Sequence, residues 1–209
     1  DFSYDLSLIG TTLKNKVVSV NQNLPPLENG ANVTKVGYPI GGFWGYEVLG
    51  IYQNKQIIEE TASIDGATPG DLWYKDQNGD GVIDKDDRIY MGSYLPKVTL
   101  GLNMRFAYKG VDLEMDLYSS LGNKIYSTRR QTLGVSPYNV TTDYLHSWVG
   151  EGSTNKTTRV LLDGPGTNNQ YSQYYVENGS YFKIRNLTLG YTFPQRISSK
   201  MKMRNLRVY

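Results

Sequence analysis

The sequence predicts an all-β protein, a partial antiparallel transmembrane β-barrel with long loops. Three observations predict it. Several stretches alternate apolar and polar residues with a period of two, so each strand has one face of each kind. Tyrosine occurs 18 times against 5 Phe and 3 Trp, with 22 Gly, as in chains of many strands joined by polar turns. No apolar run approaches the roughly 18 residues that a membrane helix needs. Barrel strands average their two faces, so the mean hydropathy of −0.48 does not exclude them.

The 209 residues would suffice for an independent core. The strand rhythm starts at once, with Phe2, Tyr4, Leu6 and Leu8 alternating against Ser3, Asp5 and Ser7. The chain therefore reads as cut at both ends, carrying an incomplete set of strands. It has no cysteine, which removes disulfide and thiolate frameworks. Its net charge of +2, with signs interspersed, offers no basic stripe for nucleic acid.

The clearest element runs from Pro96 to Leu121. Val98, Leu100, Leu102, Met104, Phe106 and Tyr108 share one face, and after Lys109-Gly110 so do Val111, Leu113, Met115 and Leu117. A two-residue turn at Lys109-Gly110 pairs Tyr108 with Val111, Phe106 with Leu113, Met104 with Met115 and Leu102 with Leu117. The same register sets Arg105 opposite Glu114 and Asn103 opposite Asp116, and a slip of one residue would mismatch both faces. Arg105 and Glu114 are thus expected to form a cross-strand pair facing a water-filled lumen. A further strand is expected over Tyr181 to Phe193. There Phe182 and Ile184 hold one phase while Leu187, Leu189, Tyr191 and Phe193 hold the other, so a bulge is expected near Arg185-Asn186. Pro194 ends that strand, and Leu206 and Val208 begin another.

Between these strands lie two long stretches, 21–95 and 122–178. Short turns face the periplasm in bacterial barrels, so both stretches are expected outside the cell. The first contains Asp76-Gln77-Asn78-Gly79-Asp80-Gly81-Val82-Ile83-Asp84-Lys85-Asp86-Asp87, a calcium-type pattern. A hard cation wants six to eight oxygens, which Asp76, Asn78, Asp80, the Val82 carbonyl, Asp84 and Asp87 would supply. Position 12 is Asp rather than Glu, and the flanks look extended. A structural Ca2+ and an Asx-rich turn held by its own hydrogen bonds both remain open.

Several motifs in order resemble the C-terminal part of the SusC/RagA family of TonB-dependent outer-membrane transporters. They are Gly37-Tyr38-Pro39-Ile40-Gly41-Gly42-Phe43-Trp44-Gly45-Tyr46, Gly50-Ile51-Tyr52-Gln53, and Gly70-Asp71-Leu72-Trp73-Tyr74-Lys75-Asp76. Pro96-Lys97, Tyr108-Lys109-Gly110 and Tyr181-Phe182-Lys183-Ile184-Arg185-Asn186-Leu187-Thr188-Leu189-Gly190-Tyr191 follow. The resemblance implies strands of a 22-stranded barrel in the outer membrane of a Gram-negative bacterium. It implies TonB-dependent uptake of oligosaccharides or peptides beneath a SusD-like surface lipoprotein. No plug segment or TonB-contacting box is seen in the chain.

Within that frame Trp44, Tyr46, Trp73, Tyr74 and Trp148 are candidate substrate contacts, since sugars stack on aromatic faces. Packing within the loops or at the membrane interface is the simpler role for each. An enzyme is not expected: His146 is the only histidine, no serine sits in a Gly-x-Ser-x-Gly elbow, and Glu59-Glu60 reads as a solvated pair. The remaining alternative is a soluble calcium-containing β-sandwich that binds glycans.

Overall fold

The computed structural model describes residues 2–21, 27–133, 141–161 and 166–209. In chain order its elements are β1 (Phe2–Thr12), β2 (Glu28–Asn29), β3 (Asn32–Val33), β4 (Gly42–Gly45), β5 (Val48–Ile51) and α1 (Lys55–Glu60). Then come β6 (Leu72–Tyr74), β7 (Ile89–Gly92), β8 (Val98–Tyr108), β9 (Val111–Leu121), β10 (Lys124–Tyr126) and α2 (Thr128–Leu133). Last are β11 (Val176–Asn178), β12 (Tyr181–Thr192), α3 (Gln195–Lys200) and β13 (Arg207–Val208). They fall into two compact units: Asp1–Lys14, Leu95–Asn123 and Gly179–Tyr209 form the first, Asn15–Tyr94 and Lys124–Asn178 the second.

The first unit is one antiparallel sheet in the order β1-β8-β9-β12-β13. The β8–β9 register has Tyr108 opposite Val111, Phe106 opposite Leu113, Met104 opposite Met115 and Arg105 opposite Glu114, as the alternation requires. Lys109 (φ 48°) and Gly110 (φ 88°) both have positive φ, the geometry whose twist matches a two-residue hairpin. Across four strands the apolar rows are continuous: Tyr4, Phe106, Leu113 and Leu189; Leu6, Met104, Met115 and Leu187; Leu8, Leu102, Leu117 and Ile184.

The bulge is what keeps those rows intact. The β9–β12 register shifts between Ile184 and Asn186, leaving Arg185 unpaired. One extra residue restores the phase, so Ile184 before it and Leu187 after it meet Leu117 and Met115 on the same face. That apolar face is open: Leu8 is 73% exposed and Leu189 64%. The opposite face carries charge. Arg105 bridges Glu114 at 3.3 Å, and the Arg185 guanidinium lies 3.8 Å over the Tyr118 ring. Arg207 on β13 donates from Nε and Nη2 to the Asp112 carboxylate on β9, reaching past the intervening β12. Gly190, the β12 partner of Asp112, makes this crossing feasible, because a Cβ there would meet both charged groups. Where the sequence suggests only a connection after Pro194, α3 forms before β13 pairs Val208 with Tyr191.

The second unit is built from the two long stretches together. It has a four-stranded sheet ordered β2-β3-β4-β7 and the pairs β5-β6 and β10-β11. Buried Tyr46, Leu72, Tyr74 and Ile83 form its core, with Val48, Ala62, Ile64 and Tyr174 packed around them. These stretches are therefore a folded body with a core of its own rather than plain connectors. Among the described residues no helix is long and apolar enough to cross a membrane.

Candidate functional site

The framework of the second unit starts from Asp71, whose side chain is fully buried. Gly70 turns the chain ahead of it at φ 94°, and a side chain there would collide with Trp148 and Arg159. The carboxylate then accepts from the backbone N–H and hydroxyl of Thr68 (3.0 and 3.1 Å), from Arg159 Nε (2.8 Å) and from Asn168 Nδ2 (3.0 Å). Asn168, itself buried, accepts from the Leu72 N–H at 2.7 Å through Oδ1, and its carbonyl accepts from the Tyr175 hydroxyl at 2.8 Å. Among the described residues no buried side-chain polar atom of this cluster lacks a partner, as a buried carboxylate requires.

A second junction forms at Gly50-Ile51-Tyr52-Gln53. The Ile51 N–H donates to Asn155 Oδ1 at 2.7 Å, and Gln53 Oε1 accepts from Trp148 Nε1 (3.2 Å) and the Gly152 N–H (2.9 Å). Tyr46 joins a third segment through Tyr46 N–H to Tyr171 carbonyl (2.8 Å) and Gln173 N–H to Tyr46 carbonyl (3.0 Å). The glycine-rich motifs thus hold residues 148–155 and 171–173 against the 42–74 segment.

The five candidate aromatic contacts are largely consumed by this packing. Tyr46 and Tyr74 are core residues with ring centres 5.3 Å apart. Trp44 is buried beneath Lys35, whose ammonium sits 4.3 Å from the ring, and meets Tyr38 edge-on at 4.8 Å. Trp73 stacks on Tyr52 at 5.8 Å, and Trp148 lies over Gly70. Only Trp73 and Trp148 of the five keep partial exposure. The structure does not gather them into one open face. Burial pushes the Tyr74 phenol well above its ordinary range, and Tyr126 and Tyr175 shift the same way for the same reason.

The calcium-type loop closes on itself. Asp76 accepts from the N–H of Gly79 (2.6 Å) and of Gly81 (2.9 Å). Asn78 accepts from Asp80 N–H, Asp80 from Val82 N–H, and Asp84 from Asp86 N–H. Asp87 is buried, and its two oxygens accept from the Gln77 and Asp84 N–H groups, both at 2.8 Å. The Gly81 N–H, ahead of Gly79, Asp80 and Asp87, holds the Asp76 carboxyl below the usual carboxylate range. Ile83 anchors the loop in the core, and Gln77 Nε2 donates to Glu47 at 2.6 Å. All five expected side-chain donors, Asp76, Asn78, Asp80, Asp84 and Asp87, accept backbone N–H groups within the loop. Among the described residues no three His, Cys, Asp or Glu side chains are grouped to hold a metal ion.

Some residues here gave no sequence signal. Arg159 and Asn168 complete the Asp71 cluster but sit in polar stretches without periodicity. Lys124, Arg130 and Lys156 line a cavity of about 760 Å³ in the second unit, although they are scattered in sequence.

An antiparallel sheet with one open apolar face and one charged face, joined by a tight turn at one end and two long excursions at the other, defines a partial barrel of the transmembrane all-β class. No family model matches the chain. It is 31% identical over 184 residues to TonB-dependent receptor P3 of Formosa agariphila, covering 88% of this chain and 18% of that receptor. It is 29% identical over 159 residues to TonB-dependent receptor SusC of Bacteroides thetaiotaomicron, covering 76% of this chain and 14% of SusC. The solved RagAB peptide transporter matches 99% of this chain and 22% of its own chain at TM-score 0.74 and 19% identity. The chain thus spans about a fifth of the length of such relatives. It fits the C-terminal part of a SusC/RagA-like TonB-dependent receptor.

Proposed function

We propose that the protein containing this chain imports nutrient oligomers, oligosaccharides or peptides, across the outer membrane of a Gram-negative bacterium in a TonB-dependent manner. The observation that carries this reading is the continuous, exposed apolar face of the five-stranded sheet, backed by a charged face. Such a face is satisfied by lipid on one side and water on the other. Eleven-residue strands β8 and β9, tilted, cover roughly 30 Å of height, the thickness of a bilayer core. In this reading the Lys109-Gly110 turn is periplasmic, the second unit is extracellular, and Arg105 and Glu114 face the lumen. A SusD-like lipoprotein is the lid, and the parts that meet TonB lie elsewhere in the receptor. The soluble β-sandwich alternative would need the apolar face covered, and Leu8 and Leu189 on it are exposed.

Membrane fractionation and uptake test the reading together. The receptor should be recovered in the outer-membrane fraction, and its deletion should abolish growth on one class of oligomer while growth on the monomer persists. Recovery as a soluble protein would sink it.

We propose further that the 76–87 loop takes Ca2+ weakly, on Asp76, Asn78, Asp80, the Val82 carbonyl, Asp84 and Asp87, in competition with the loop's own N–H groups. The loop's own hydrogen bonds support closure without metal, so the cation adds to a preformed turn. Millimolar Ca2+ should then raise the thermal midpoint of the purified receptor, while chelation should not unfold it. No shift at 10-fold higher calcium removes the metal reading.

A further inference from the structure

The cavity of about 760 Å³ in the second unit falls within the roughly 300–1,000 Å³ typical of small-molecule sites. Three of its lining residues, Lys124, Arg130 and Lys156, are cations, and among the described residues no carboxylate lines it. Among the described residues none of the three forms an ion pair. Asp143 and Glu177 line a neighbouring recess that shares Arg130 and Lys156, without reaching either as a salt bridge.

The cations are set in place by the fold. The Arg130 guanidinium lies 4.5 Å over the Tyr174 ring, and Nη1 donates to the Tyr174 carbonyl at 3.2 Å, which fixes the head group at the cavity. The Lys124 stem occupies the space that a side chain at Gly92 would fill. Lys156 follows Asn155, which is pinned by the Ile51 N–H, and its own N–H donates to Thr154 Oγ1 at 3.2 Å. Three like charges around one concavity focus a positive potential there, and an anion entering it relieves their repulsion.

We propose that this cavity receives the carboxylate of an acidic oligomer. The assignment rests on the import reading and narrows its substrate class. Two sources carry the same group, a uronic-acid sugar and an acidic peptide. Calorimetry on the intact purified receptor separates them with tri-galacturonate against neutral maltotriose, and triglutamate against triglutamine.

At least one acid should bind about ten-fold more tightly than its neutral counterpart, and binding should weaken with salt. The double variant Lys124→Gln and Lys156→Gln should abolish that preference without moving the thermal midpoint, whereas Arg130→Lys should lose only part of it. A preference in the galacturonate arm assigns a sugar, one in the glutamate arm a peptide. Equal affinity for charged and neutral probes, no binding of either acid, or an unchanged preference in the double variant overturns the proposal. Uptake of a neutral oligomer without acid preference removes this assignment alone. A receptor missing from the outer membrane fails the import reading, and calorimetry on the purified protein still decides the cavity.

Discussion

A carboxylate as fully covered as that of Asp71 must be matched by donors, and three residues supply them: Thr68, Arg159 and Asn168. Taking away one partner of a buried ion pair leaves a charge without compensation, at a cost of about 3–5 kcal/mol. Arg159→Ala, which strands the buried Asp71 carboxylate, should therefore destabilise the second unit by that order, read as protease cleavage within 15–94 at temperatures the parent receptor resists. Arg105 and Glu114 make the contrast. Their 3.3 Å bridge is between half-exposed side chains, so Glu114→Gln should change stability by under about 1 kcal/mol in a denaturant series. Gly190 belongs with Asp71 in consequence, though it bears no charge. Gly190→Ala would push a methyl between Asp112 and Arg207 and detach β13 from its anchor. The Asp71 carboxyl could be noticed in its motif, but nothing near Arg159 or Asn168 marks them as its partners. Their pairing spans 88 and 97 residues and leaves no local pattern.

At the scale of elements, the β8–β9 hairpin was legible because two independent patterns constrain one register. The apolar rows and the Arg105–Glu114 pairing agree only when Lys109-Gly110 is the turn. The bulge was legible for a related reason, as a break in phase that a membrane-facing strand cannot tolerate uncorrected. Deleting Arg185 should turn either Phe182 and Ile184 or Leu187, Leu189 and Tyr191 toward the charged face. The measurable outcome is loss of membrane insertion, seen as loss of the heat-dependent gel shift of a folded barrel. The strands of the second unit escaped because most are two to four residues long, too short to show a period. Of its candidate aromatic contacts, Trp44, Tyr46 and Tyr74 are buried, in line with packing as the simpler role for each.

For the molecule as a whole, pH acts on the second unit through Asp76. Its folded carboxyl is more acidic than its unfolded one, so the stabilisation is present above the unfolded value near ~3.9 and lost as pH falls through the folded value. Tryptophan fluorescence should report loosening of the 76–87 loop on acidification below about pH 4. Asp76→Asn, which keeps an acceptor, should lessen that dependence. The Asp71 cluster has another consequence, one of time. Asp71 and its partners Arg159 and Asn168 lie on opposite sides of β8 and β9 in the chain, so the cluster closes only when both long stretches are in place. Until then the first stretch holds a carboxylate whose burial it cannot complete. A chain ending before residue 159 should be cut in the 15–94 stretch by a protease that spares the finished receptor, making this salt bridge a late step of the receptor's folding as well as a bond within it.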